Sequence, residues 1–229
     1  QLIQRVWAGT TDSPAAYQQA QQLLADVVDA AHTRPDTDSL AAGLVRHGLS
    51  DTEVRDQLAL LVAVGADPAT ALIGNTLLQF LTDPRTRSAL LRGEITADQV
   101  TTSAVHEHPP VQAIVGRFAL SDLRIGRYLI QRGDCVLLGF GPAHLDLTRN
   151  LTSSEALYTN RAHLTWGAGM HQCPVTGQDI AQAMTERALT AVVNRLPGVT
   201  LAILPDQLRW NPTVDINRLL ALPVSFSAT

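Results

Sequence analysis

Apolar residues recur at helical spacing through the first half of the chain and at strand-like spacing in a short middle stretch. Ser13-Pro14 reads as a helix start, and Leu23, Leu24, Val27, Val28 and Ala31 follow it on one face. The run from Thr33 to Ser39 (TRPDTDS) is rich in turn formers and predicts a loop, with a short helix over Leu40 to Arg46 that Gly48 stops. Ser50 and Glu53 supply both halves of a capping box, so a helix begins there and runs to Leu81, before Asp83-Pro84 ends it. That helix is apolar nearly all round from Leu58 to Ile73, which predicts a buried central helix. Pro68 inside it removes a backbone donor and predicts a kink or a local opening. Two shorter helices are expected over Arg85 to Arg92 and Thr96 to Val105.

The pattern changes after Pro109-Pro110. Phe118 to Ile130 and Cys135 to Gly139 look like short strands around turns at Gly126 and Arg132-Gly133. A polar, loop-like stretch then runs to Arg161. A last long helix fits Gly177 to Arg195, ended by Leu196-Pro197-Gly198, and the tail reads as a short β-hairpin. Internal repeats and low-complexity tracts are absent from the sequence. The fold class expected is mostly α with a minor β part, in a single domain over residues 1–229.

Composition narrows the function classes. Hydrophobic residues make up 45% and charged residues 17%, as in a globular protein, and a formal net charge of −4 gives no basic footprint for nucleic acid. With 4% aromatics, the core rests on Leu, Val, Ile and Ala. The two cysteines, Cys135 and Cys173, allow one disulfide arithmetically but do not form the dense pattern of a secreted scaffold. The longest apolar run, Leu58 to Ala66, ends at Asp67 and is too short for a bilayer, so no transmembrane segment is expected. The chain starts at Gln1 without a methionine and shows no signal-peptide pattern. The expectation is therefore a piece of a longer, cytoplasmic protein.

The stretch from His163 to Pro174 (HLTWGAGMHQCP) carries the chemistry. Gly167 and Gly169 let backbone turn tightly and approach a flat ligand without Cβ clashes. Cys173 follows directly before a helix, whose free N–H groups favour an anion. Read alone, a single Cys there is more often a small buried hydrophobe than a ligand. The order aromatic-Gly-x-Gly-x-His-x-Cys, however, resembles the haem loop of the cytochrome P450 family, in a form similar to that of certain actinobacterial members.

The resemblance extends along nearly the whole chain, in order. Leu61 to Asp67 (LVAVGAD) and Ala71 to Asn75 (ALIGN) are similar to the family's distal helix. Pro109 to Gln112 (PPVQ), Arg117 and Gly133 to Leu138 (GDCVLL) resemble the segment after its K helix. Leu208 to Pro212 (LRWNP) and Leu222 to Phe226 (LPVSF) resemble its terminal strands. The helix after Cys173 then stands as the family's L helix. What is implied is the C-terminal half of a cytochrome P450 fold, without the N-terminal half.

The resemblance also assigns roles. Cys173 is the implied proximal ligand of haem b, because a thiolate is the ligand that favours O–O cleavage. His163, His171 and Arg117 stand where the family binds haem propionates; read alone, they are surface histidines and a solvated strand charge. Trp166 replaces the usual Phe beside the thiolate, and its indole N–H needs a partner. Cys135, in an apolar run, is expected to be a buried core thiol. Asp67 matches the acid that helps deliver protons to bound oxygen.

Three departures stand beside these matches. The alcohol expected two positions after the acid is Ala69, and Thr70 follows one residue late, about 100° around a regular helix. The family's Glu-x-x-Arg ion pair is replaced by Ser103 and His106, which cannot form a bidentate clamp. The third is the missing half, which in the family covers haem and shapes the substrate pocket. Two functions are therefore expected. One is a monooxygenase inserting one oxygen atom from O2 into a small organic substrate, with Asp67 and Thr70 in catalysis and electrons from an external ferredoxin and reductase type partner. The other is a catalytically impaired haem-binding or regulatory module.

Overall fold

The computed structural model describes residues 6, 11–149 and 154–227. They fall into two compact units, Gln1–Asp67 and Pro68–Thr229, and each is built around its own helices.

In the first unit, α1 (Ser13–Thr33) carries Pro14 in its opening turn, where a proline's missing N–H costs nothing. It buries Ala16, Val28 and Ala31. Next, α2 (Leu40–Arg46) is capped by Ser39, whose hydroxyl accepts from the Ala42 amide at 3.2 Å. Ala31, Ala41 and Ala42 form a small core, with Val45 and Leu58 packed against it. The long helix α3 (Asp51–Thr82) opens on the expected capping box: the Ser50 amide donates to Glu53 Oε2 at 2.8 Å, and the Glu53 amide returns to Ser50 Oγ at 3.4 Å.

Helix α3 runs through Pro68 without interruption and corrects the expectation of burial along its length. Leu60, Leu61 and Val64 are 53%, 50% and 60% exposed, outside the first unit's small core. Burial begins in the second unit, with Ala71, Leu72, Leu78 and Phe80. By length and composition alone, α3 is the one helix among the described residues that is long and apolar enough to cross a bilayer.

The second unit adds α4 (Pro84–Leu91) and α5 (Ala97–Glu107), each with a side-chain N-cap, Asp83 and Thr96. Every residue of α5 from Val100 to His106 is buried, so this helix is the unit's centre. Phe80, Val100, Leu189 and Val199 make the main core; Leu78, Leu208 and Leu219 make a second. Between them, Asn75, fully buried, donates to the carbonyls of His108 at 2.8 Å and Asn217 at 3.0 Å.

The β part is three two-stranded sheets. Strand β1 (Ala113–Phe118) pairs antiparallel with β4 (Cys135–Gly139), with an irregular register between Ile114 and Arg117 where Gly116 takes φ +74°. Strands β2 (Leu123–Ile125) and β3 (Tyr128–Ile130) make the hairpin whose turn was placed at Gly126. Most of β1 precedes the expected strand start at Phe118.

The stretch read as a loop to Arg161 is instead largely helical, with α6 (Phe140–Thr148) and α7 (Ser154–Thr159). Tertiary packing sets this: His144 of α6 and Tyr158 of α7 are buried, and Tyr158 shares a hydrogen bond with buried Thr86 of α4 at 2.8 Å. After α8 (Val175–Arg195), β5 (Thr200–Leu201) pairs with β6 (Val224–Ser225), a longer excursion than the tight hairpin expected. Cys135 also corrects its expectation. Both cysteines are free, and Cys135 is exposed on the two-stranded edge that β1 and β4 form.

Candidate functional site

The loop before α8 is shaped by its backbone. Gly167, at φ +74°, closes a turn through its amide to the Leu164 carbonyl at 2.8 Å, and Gly169, at φ +72°, starts a single 3-10 turn through His171. A side chain at either position would force L-residue backbone into the left-handed region. The Cys173 amide reaches back to the Trp166 carbonyl at 2.8 Å, and the Gln178 amide group holds the Cys173 carbonyl at 2.6 Å. Trp166, Gly167, Gly169, His171 and Cys173 are thus brought into one folded turn.

Cys173 sits just ahead of α8, whose first turn has no side-chain cap at Pro174. Its amides are left for an anion at the helix end. Gly177 lies under the sulfur: a methyl group there would stand 3.1 Å from Cys173 Sγ, so glycine leaves the sulfur its room. Cys173 is half-buried, and burial pushes its thiol above the ordinary value. The helix end favours a thiolate while burial opposes it.

The remaining predicted residues occupy different surroundings. Arg117 lies exposed on β1 opposite Val136, and His171 is exposed at the end of the 3-10 turn. Asp67 is half-buried and Thr70 exposed, both on α3. His163 is half-buried against two other imidazoles, His106 and His144, at ring-centroid distances of 5.6 and 6.4 Å. Burial first, then repulsion from His106, His144 and Arg161, lowers His163 to about 4, so it is neutral at pH 7. Any part it takes in binding an anion is as a neutral N–H donor. Sequence reasoning missed this cluster because His144 fell in the stretch taken as a loop. Gly177 was missed too, since only its position after the cysteine signals it.

Among the described residues, no three or more His, Cys, Asp or Glu side chains are placed so that together they could hold a metal ion. The donor set fits a metal that brings its other ligands with it, as haem does: one soft sulfur, two glycines that admit a flat group, and exposed Arg117 and His171 for carboxylates.

No protein-family model matches the chain. Individual proteins do. Cytochrome P450 105A3 of Streptomyces carbophilus is 30% identical over 98% of this chain and 55% of its own length. Polyketide biosynthesis cytochrome P450 PksS of Bacillus subtilis is 29% identical over 78% of this chain and 44% of its own. The solved structure of CYP154C4 from Streptomyces sp. W2061 superposes with a TM-score of 0.80 at 29% identity, covering 93% of this chain and 53% of that one. In sequence and in fold, then, the chain is the counterpart of the C-terminal part of a cytochrome P450. Its relatives here are bacterial, several of them actinobacterial, and it spans about half the length of the relatives it matches.

Proposed function

We propose that the protein binds haem b through Cys173 and belongs to a monooxygenase that inserts one oxygen atom from O2 into a small organic substrate. The observation that carries this reading is the Cys173 turn: a half-buried sulfur ahead of an uncapped helix start, over a glycine that spares it a clash. Trp166 to Gly169 give the flat group a backbone surface, while Arg117 and His171, with neutral His163, are the candidates for its carboxylates. Bound there, haem would supply oxygen activation, and Asp67, with Thr70 and water, would pass the protons that this chemistry needs. Electrons come from a separate ferredoxin and reductase type partner, and the setting is cytoplasmic.

A second reading has a specific observation behind it. Ala69 replaces the alcohol next to the acid, and an imidazole cluster replaces the charged clamp at Ser103 and His106. Both favour a haem-binding module without efficient oxygenation. Titration of the purified chain with haem tests what the two readings share. A saturable one-to-one spectral change, weakened tenfold or more in Cys173→Ala, is expected; equal titration of the two proteins overturns the ligand assignment. Substrate-dependent, coupled oxygen uptake then separates an oxygenase from a module.

A further inference from the structure

Three imidazoles from three different segments meet where the Cys173 loop leaves the helical core. His106 belongs to α5, His144 to α6, and His163 to the loop itself. Their ring centroids are 6.1 Å apart for His106 and His144, 5.6 Å for His106 and His163, and 6.4 Å for His144 and His163. His106 is 4% exposed and His144 wholly buried.

The hydrogen bonds fix where the protons sit. The Leu164 amide donates to His144 Nε2 at 2.7 Å, so that nitrogen must be bare. The ring's proton is then on Nδ1. His106 Nε2 lies 2.9 Å from the Asn160 carbonyl, which only accepts, so His106 carries its proton there. The Nδ1 atoms of His106 and His163 are buried without a hydrogen-bond partner. Two loop positions, Asn160 and Leu164, are thereby tied to helices by imidazole hydrogen bonds.

Among the described residues, the groups that act on the lowered rings are the imidazoles themselves and cationic Arg161. The Arg161 carboxylate partner is Asp98 of α5, which Gln182 of α8 also meets. Burial is the first cause that disfavours a proton added to the cluster, and Arg161 is the last.

We propose that His144, packed against His106 and His163, is an imidazole latch that holds the loop leading to Cys173 on α6 and releases it on protonation. Protonating His144 at Nε2 turns the acceptor of the Leu164 amide into a second donor, so the tie is lost rather than weakened. Burial, then repulsion from His106, lowers His144 below its ordinary value, and His163 is lowered to about 4. The released loop takes up protons near the free value of about 6.5, whereas the closed loop refuses them. Acid therefore favours release. The latch needs no cofactor, and of its residues only His163 is shared with the haem reading.

Hydrogen exchange at the Leu164 amide, followed by NMR on this chain from pH 7 to 4.5 with ring titrations in the same spectra, tests the proposal. After correction for intrinsic exchange, protection should fall with pH, by up to about tenfold per unit for each linked proton, in step with the rings. His144→Gln offers an oxygen in place of Nε2 but cannot take the proton. It should keep the protection at pH 7 and lose one proton's worth of pH dependence. Protection that stays flat in the parent, or an unaltered pH dependence in His144→Gln, overturns the latch. If His144→Gln does not fold, the parent decides: rings that titrate while Leu164 stays protected overturn it equally.

Discussion

Gly177 lies so close beneath Cys173 that a single added methyl group would stand 3.1 Å from the sulfur. That contact is tight enough to displace the sulfur by a few tenths of an ångström. In the first turn of α8, alanine would otherwise be the better residue, by up to about 1 kcal/mol over glycine. The two effects separate in Gly177→Ala. Thermal stability of the haem-free chain should stay level or rise slightly, while haem affinity falls. Melting curves and haem titrations on the same preparations check this; unchanged haem affinity would show that the sulfur does not need that room.

Asn75 ties α3 to two distant backbone segments. Its side-chain amide serves the His108 and Asn217 carbonyls from a position with no solvent access. Asn75→Ala leaves both carbonyls buried without that donor and opens a small void. A loss of about 2–4 kcal/mol is expected, read by urea unfolding.

Acid should destabilise the fold. Burial, outweighing attraction from Glu107, holds His108 below its ordinary value, and burial is also the largest cause for His144 and His163. Each folded pKa lies below the unfolded one, so the unfolded chain binds more protons and stability rises with pH. The stabilising preference for neutral rings is complete above about 6.5 and is lost as pH falls toward about 4, the value for His163. The melting temperature should decrease steadily from pH 7 to pH 5; a flat profile would contradict the buried-imidazole account.

Glu186 works in the opposite sense. Burial, then the charge of Asp98, raises its carboxyl, with Arg161 opposing. The fold therefore prefers the protonated form, and the penalty appears as pH rises through the ordinary carboxylate range. Glu186→Gln should stabilise the chain modestly at pH 7 and leave it unchanged at pH 4, as paired thermal melts would show.

Much of this was legible in the sequence, because local signals set it. The capping box at Ser50, Pro14 in an opening turn and the stop after Arg195 give helix ends that depend on a few neighbours. At the Cys173 turn the two glycines adopt the left-handed backbone that glycine permits, while the reading of Cys173 as a ligand came from the family resemblance. Helices α6 and α7 were not, since their formation rests on burying His144 and Tyr158 against helices far away in sequence. The same holds for the His106 cluster, whose three members come from α5, α6 and the loop before Cys173. Exposure of Leu60, Leu61 and Val64 escaped the reading for a different reason, because periodicity shows which residues are apolar and not whether anything packs on them.

The central claim is that Cys173 supplies the sulfur to haem iron, and the most direct test is the absorption spectrum of the reduced, haem-loaded chain under carbon monoxide. A strongly red-shifted Soret band, absent from Cys173→Ala, is the result this account requires. A band at the unshifted position of a neutral ligand, or the same spectrum in Cys173→Ala as in the parent, would contradict it.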